Sequence, residues 1–252
     1  MRTGFALGLL TLACVSPARA DPPDLDRPGA GFATSVLPAG TLALEQGLPT
    51  YTRERSDGLL DRQYSADSLI RIGLGGPVEF QLGGSAFNRV EERGAGVRRH
   101  AVGHGDSSAA VKFAPAASGE FSWAALGQVT FANGDADFSN GARQYTLGVT
   151  GQWNTSDSYF TTLYANVDRL RGRNTWTLAP TFDFKLTPNF MMYAETDAIH
   201  DADDGNALQL GGGAAYTLGN HVQFDAYALH RIAGHGASFI AGLGISVFFG
   251  KR

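Results

Sequence analysis

Between Arg143 and Asn154 the chain alternates strictly. Tyr145, Leu147, Val149, Gly151 and Trp153 fall on one side, and Gln144, Thr146, Gly148, Thr150, Gln152 and Asn154 on the other. Successive side chains of a β-strand point to opposite faces, so the stretch predicts a strand with one polar face and one apolar face closed at each end by an aromatic. The alternation recurs about a dozen times with no amphipathic helix between. Ile70, Ile72 and Leu74 oppose Arg71; Val78, Phe80 and Leu82 oppose Glu79 and Gln81; Val111 and Phe113 oppose Lys112. Further on, Trp176, Leu178, Phe182, Phe184 and Leu186 oppose Thr181, Asp183 and Lys185, and Phe190, Met192 and Ala194 oppose Tyr193, Glu195 and Asp197. Val222, Phe224 and Ala226 oppose Asp225 and Tyr227, and a last strand runs to Phe249.

Twelve strands are predicted over 41–252, with short Gly, Pro and Asn turns alternating with longer, charged connections such as Arg53–Arg62 and Glu91–His104. An even count with short turns at one end and longer loops at the other is the plan of a bacterial outer-membrane barrel with both termini in the periplasm. Lipid satisfies no backbone group, so strands can cross it only in a closed sheet. The fold class expected is all-β, a transmembrane antiparallel β-barrel of the outer-membrane type. Aromatics predict two interfacial girdles: Phe121, Trp153, Tyr159, Phe190, Tyr216 and Phe249 near the periplasmic end, and Phe131, Tyr145, Trp176 and Phe239 near the outer end. Pro180 falls mid-strand, where its missing N–H predicts a bulge.

The start of the chain adds the export route. Met1-Arg2, an apolar stretch Phe5–Val15 and Ala18-Arg19-Ala20 make a cleaved signal peptide over 1–20. Residues 21–40, rich in Pro, Gly and Asp, are an extended N-terminal segment and a candidate plug; a periplasmic tail is the alternative. Cys14 is the only cysteine and lies in the signal, so no disulfide or thiol chemistry is expected in the mature chain. Without Arg2 and Arg19 there remain 18 basic and 24 acidic side chains, a net of −6, which does not fit a nucleic-acid binder. Glycine is abundant at 33 residues, many of them within strands, which suits a narrow, curved barrel.

Asp26-Arg27-Pro28-Gly29, Leu37-Pro-Ala-Gly40, Glu45, Gln223-Phe-Asp225 and Gly242-Leu-Gly-Ile-Ser-Val-Phe-Phe249 carry a resemblance. So do Gly105-Asp106 and Thr130-Phe-Ala-Asn-Gly-Asp135, where many members have Pro-Thr-Gly instead. With these elements the chain resembles the outer-membrane transporter family labelled for a meta-pathway of phenol degradation. The resemblance implies an outer-membrane channel taking up small aromatic compounds, and brings no catalytic residues.

Parity turns Glu45, Arg71, Glu79, Lys112, Asp183, Lys185, Glu195 and Asp225 inward, together with Tyr164, Tyr193 and Tyr227. A Lys or Arg facing lipid near the midplane costs about 2–4 kcal/mol. These residues are the candidates for contact with a solute in the lumen; the alternative is a charge network that fills a narrow barrel. Arg27 is the plug candidate, with Glu45 or another inward acid as its partner.

His100, His104, His200, His230 and His235 fall on the outer side without a metal-binding pattern, so neither a metal nor a cofactor is expected. A membrane hydrolase would use His200, Asn206 or His230, but Ser238 has the opposite parity and no Gly-x-Ser-x-Gly occurs. The function expected is passive uptake of small, hydrophobic or aromatic solutes by a monomer in contact with lipid and lipopolysaccharide. A closed structural or surface-binding barrel is the alternative, and an enzyme is not expected.

Overall fold

In a computed structural model, residues 24–56, 58–94, 96–203 and 205–250 are described. The predicted signal peptide, residues 1–20, lies outside them. The described residues form thirteen strands: β1 (Leu42–Ser56), β2 (Leu59–Gly75), β3 (Val78–Gly94), β4 (Val97–Gly103), β5 (Ser107–Phe113), β6 (Phe121–Phe131), β7 (Gln144–Ser156), β8 (Tyr159–Leu170), β9 (Arg173–Thr187), β10 (Phe190–Asp201), β11 (Gly205–Leu218), β12 (Val222–Gly234) and β13 (Phe239–Phe249). Every pairing is antiparallel, and β1 pairs with both β2 and β13, closing the sheet on itself. The upper half of β3, Asn88–Gly94, pairs with β4 and its lower half, Val78–Gly84, with β5. β4 and β5 are therefore one stave interrupted at His104–Asp106, and the barrel has twelve staves. Closure pairs every strand but β4 on both sides, and β4, above the break, pairs with β3 alone.

Two stretches expected as charged loops are strand instead. Arg53–Ser56 and Leu59–Arg62 continue β1 and β2, and Glu91–Gly94 continues β3 while Val97–Gly103 forms β4. Cross-strand pairing holds both hairpins, with Arg99 bonded to Glu92 and Asp137, and Arg89 to Glu91. Charge marks where the strands leave the membrane, not where they end. Asn133–Gly141 is a loop, and it folds back over the break between β4 and β5. Asp106 accepts the backbone N–H groups of Gly134 and Asn140, each at 2.8 Å, and Asn133 accepts that of Ser107 at 2.9 Å.

Pro180 makes no bulge. Its register to Leu163 of β8 is unbroken, and on the β10 side the pairs Glu195–Thr181 and Ala198–Leu178 keep one register across a two-pair gap. A proline lacks the donor such a pair needs, so the ladder is interrupted without slipping. A bulge lies instead at Leu48–Pro49 of β1, between Gly47 and Thr50.

The two faces invert the order of a water-soluble protein. Leu147, Trp176, Leu178, Leu186 and Leu243 are exposed outside, while Glu45, Arg71, Glu79 and Lys112 are fully buried within. A belt of large apolar side chains around the whole circumference has a partner only in lipid. Aromatic rings meet at a tilt toward both ends: Phe121 and Trp153 at 4.9 Å and Tyr159 and Phe184 at 5.5 Å toward the periplasm, and Tyr51 and Tyr64 at 5.1 Å toward the outer rim. Val149 faces out halfway along β7. Val149→Lys is predicted to destabilise the barrel in vesicles by about 2–4 kcal/mol, read from urea titration of tryptophan fluorescence. The same change at an outer-rim site, Tyr145→Lys, is predicted to cost about 0–1 kcal/mol.

Candidate functional site

The segment from Asp24 to Gly40 runs inside the barrel with no regular secondary structure. Its backbone N–H groups still need acceptors once water is excluded. The wall supplies them from three inward glutamates. Glu45 of β1 accepts from Asp26 at 3.0 Å and Arg27 at 2.8 Å, Glu195 of β10 accepts from Ala30 at 2.9 Å, and Glu79 of β3 accepts from Leu37 at 2.8 Å. Asp26 closes a loop within the segment by accepting from Ala33 at 2.9 Å. Thr34 and Ser122 of β6 share a hydroxyl hydrogen bond at 2.7 Å.

Cations hold these carboxylates together. Arg71 of β2 reaches Glu79 at 2.8 Å, Glu45 at 2.9 Å and Asp26 at 3.3 Å. Lys112 of β5 reaches Asp26 at 2.8 Å and Glu79 at 3.7 Å, and its ammonium stands 5.8 Å from the centre of the Phe32 ring. Gln81 of β3 donates to both Asp26 and Glu79 at 2.8 Å. Across the barrel, Arg27 pairs with Asp225 of β12 at 3.0 Å, and Gln223 donates to the Arg27 carbonyl at 2.8 Å. Burial alone would push the Asp26 carboxyl up, but Arg71, Lys112 and the Ala33 N–H outweigh it and hold the group below its ordinary range.

Small residues make room for the segment. A Cβ on Gly73 would collide with the carbonyl oxygens of Leu37 and Pro38 where the chain passes the wall. Phe32 meets Tyr164 of β8 edge-on at 5.6 Å, and Tyr193 and Tyr227 lie against the inward glycines Gly213 and Gly242. Beside Arg27–Ala30 is a cavity of about 190 Å³, also lined by Glu195, Tyr227, Leu229 and Ile240.

The residues singled out by parity thus fall into groups. Glu45, Arg71, Glu79 and Lys112 form one network with Asp26; Asp225 and Tyr227 flank Arg27; Tyr164, Tyr193 and Glu195 touch the segment further along. Asp183 is buried beside Thr162. Lys185 is apart from all of these, exposed toward the periplasmic end of β9 with its ammonium 5.3 Å from the Phe160 ring centre. The aspartate at the centre, Asp26, was not among the residues singled out, although it opens the Asp-Arg-Pro-Gly element. Gln81 and Gln223 share the inward parity but carry no charge to draw notice. Among the described residues, no three His, Cys, Asp or Glu side chains are grouped to hold a metal.

A closed barrel with an apolar belt and a charged, occupied interior defines an outer-membrane β-barrel protein. The family model described as "Putative MetA-pathway of phenol degradation" matches residues 25–249, and the chain belongs to that family. Among solved structures, an outer membrane channel from Pseudomonas putida F1 superposes with a TM-score of 0.71 at 12% identity, covering 88% of this chain and 100% of that one. The KdgM porin gives 0.56 at 9% identity, covering 84% and 99%. The β-domain of a Bordetella autotransporter gives 0.58 at 11% identity, covering 82% and 98%. At these identities the likeness is one of fold. No curated protein matches the chain.

Arg71→Met would leave Glu45, Glu79 and Asp26 facing one another with Lys112 as the nearby cation. Removing one partner from a buried network costs about 3–5 kcal/mol, so the urea midpoint of the refolded protein is predicted to fall accordingly. The depressed Asp26 value also sets a pH dependence. Its contribution is complete above the ordinary aspartate value of 3.8 and is lost as pH falls through the lower folded value. A spin label at Ser35→Cys is therefore predicted to stay immobile at neutral pH and to become mobile, reversibly, in acid.

Proposed function

We propose that the protein is a channel for passive uptake of small, hydrophobic or aromatic solutes, closed at rest by its N-terminal segment. The observation that carries this reading is the mode of docking. The segment is tied to the wall by hydrogen bonds and ion pairs on several separate staves, not by strand pairing. Such bonds break one at a time, and water or a solute can replace them. The cavity beside Arg27–Ala30 supports the solute class, since Tyr227, Leu229 and Ile240 offer apolar surface next to one cation and one carboxylate. The family's description, which names phenol degradation, agrees with that chemistry.

In this reading Arg27 is the latch. Its guanidinium spans from the segment to Asp225 and the Leu243 carbonyl, and stands 6.0 Å from the Tyr227 ring centre. Glu45, Arg71, Glu79 and Lys112 anchor the segment, while Tyr164, Tyr193 and Tyr227 line the route that opens when it moves. The second reading, a permanently closed structural barrel, is favoured by the depth of the same network, because Arg71 and Lys112 are fully buried. A hydrolase finds less support: the Ser238 hydroxyl donates to the Arg53 carbonyl at 2.9 Å and also accepts from the Arg53 side chain.

Deleting residues 21–38 from the refolded mature protein decides between the first two. A channel closed by its segment is predicted to gain single-channel conductance several-fold in planar bilayers, with the heat-dependent gel shift retained. A folded deletion variant with unchanged conductance would reject the plug.

A further inference from the structure

The outer surface of the barrel is not uniformly convex. Across β6 to β11 it carries a groove of about 750 Å³. It is lined by the small side chains Ala125, Ala165 and Ala198 and by the larger Leu147, Val149, Val167, Trp176 and Leu178. Register places these in ranks: Val149, Ala165, Leu178 and Ala198 in one, and Leu147, Val167, Trp176 and His200 in the next rank toward the outer rim. The groove therefore spans β6 to β11 in two ranks and is bounded, on the outer side, by polar groups.

Those groups are of one kind. His200 and Asn206 face each other across β10 and β11 with Nδ1 and Oδ1 2.7 Å apart, leaving the His200 Nε2 uncommitted to that bond. Arg169 stands one rank further out, beside Tyr145 and opposite Asn174, to whose Oδ1 it donates at 3.3 Å. Arg143 is exposed next to the start of β7 and has no hydrogen bond or ion pair among the described residues. The carboxylates at this level turn the other way: Asp168 accepts from the inward Thr146, and Asp201 from the inward Thr175. Two guanidinium groups, an imidazole and two amides thus crown an apolar groove that faces the membrane, and among the described residues of β7 to β10 the acids at this level, Asp168 and Asp201, turn inward.

We propose that this groove is a binding site for a phosphorylated acyl glycolipid of the outer leaflet, the lipid A part of lipopolysaccharide. The acyl chains lie against the groove, and a phosphate is held by Arg169 and Arg143, with His200 and Asn206 hydrogen-bonding the sugar or ester oxygens. Guanidinium groups suit phosphate because they donate paired, charge-assisted hydrogen bonds. Tyr145 and Trp176, amphipathic rings at the same height, suit the headgroup boundary. The site is independent of whether the lumen conducts.

The test uses the refolded full mature protein in detergent and native mass spectrometry, with bisphosphorylated lipid A and its dephosphorylated form as probes. One bound lipid A per barrel is expected, favoured over the dephosphorylated form by about tenfold or more, since two charge-assisted contacts are at stake. Arg143→Gln with Arg169→Gln is expected to abolish that preference while keeping the heat-dependent gel shift. Ala165→Leu with Ala198→Leu, which fills the groove, is expected to weaken both forms alike. Equal binding of the two lipids by the unaltered protein would overturn the proposal, and this comparison needs no variant. A full phosphate preference in the folded double-arginine variant would overturn it as well.

Discussion

An irregular stretch of chain can lie inside a membrane barrel only if something accepts its backbone N–H groups, and the interior depends on meeting that requirement. Apart from the Gly40 N–H, which bonds to the Gly73 carbonyl of β2 at 2.9 Å, the acceptors for this segment come from carboxylates on the wall. Carboxylates in a space this small need cations in turn, because an unpaired buried charge is costly. Arg71 and Lys112 supply them and meet again on Asp26 of the segment. The result is a single network in which wall and segment each complete the other's hydrogen bonding.

The outer face obeys the opposite requirement. Each stave turns its apolar side chains to lipid, and closure through β1 and β13 joins the first stave to the last. The wall is thin, one residue separating lumen from lipid, so a single alternation fixes both surfaces at once. That is why the inward charges need no further support from a core: the barrel has none apart from the segment it holds.

Much of this was legible in the sequence because a period of two is a complete instruction for which side a residue faces. Tyr145 to Trp153 read correctly as outward, and Glu45, Arg71, Glu79 and Lys112 turn inward and meet. Where strands end was less legible. Arg53–Arg62 and Glu91–His104 look like loops because they are charged, yet pairing outside the membrane needs no apolar face. Pro180 suggested a bulge, but the neighbouring stave kept its register and left a gap instead. The course of the segment has no periodic signature at all. Its contacts depend on which staves surround it in space, so Asp26 could not be matched to Arg71 and Lys112 from spacing. Lys185 has inward parity but lies too near the periplasmic rim to join the network, a distinction of height that alternation does not carry.

The most direct measurement of the central claim, that the N-terminal segment is held within the lumen of the folded barrel, is a disulfide between Thr34→Cys and Ser122→Cys. The native hydroxyls are 2.7 Å apart, close to the placement two sulfurs need, and the only native cysteine, Cys14, belongs to the predicted signal peptide. In the refolded, membrane-inserted protein the bond is expected to form nearly completely under mild oxidation, leaving neither thiol open to maleimide. Two free, freely labelled thiols in a barrel that passes the gel-shift test would place the segment outside the lumen and contradict the claim.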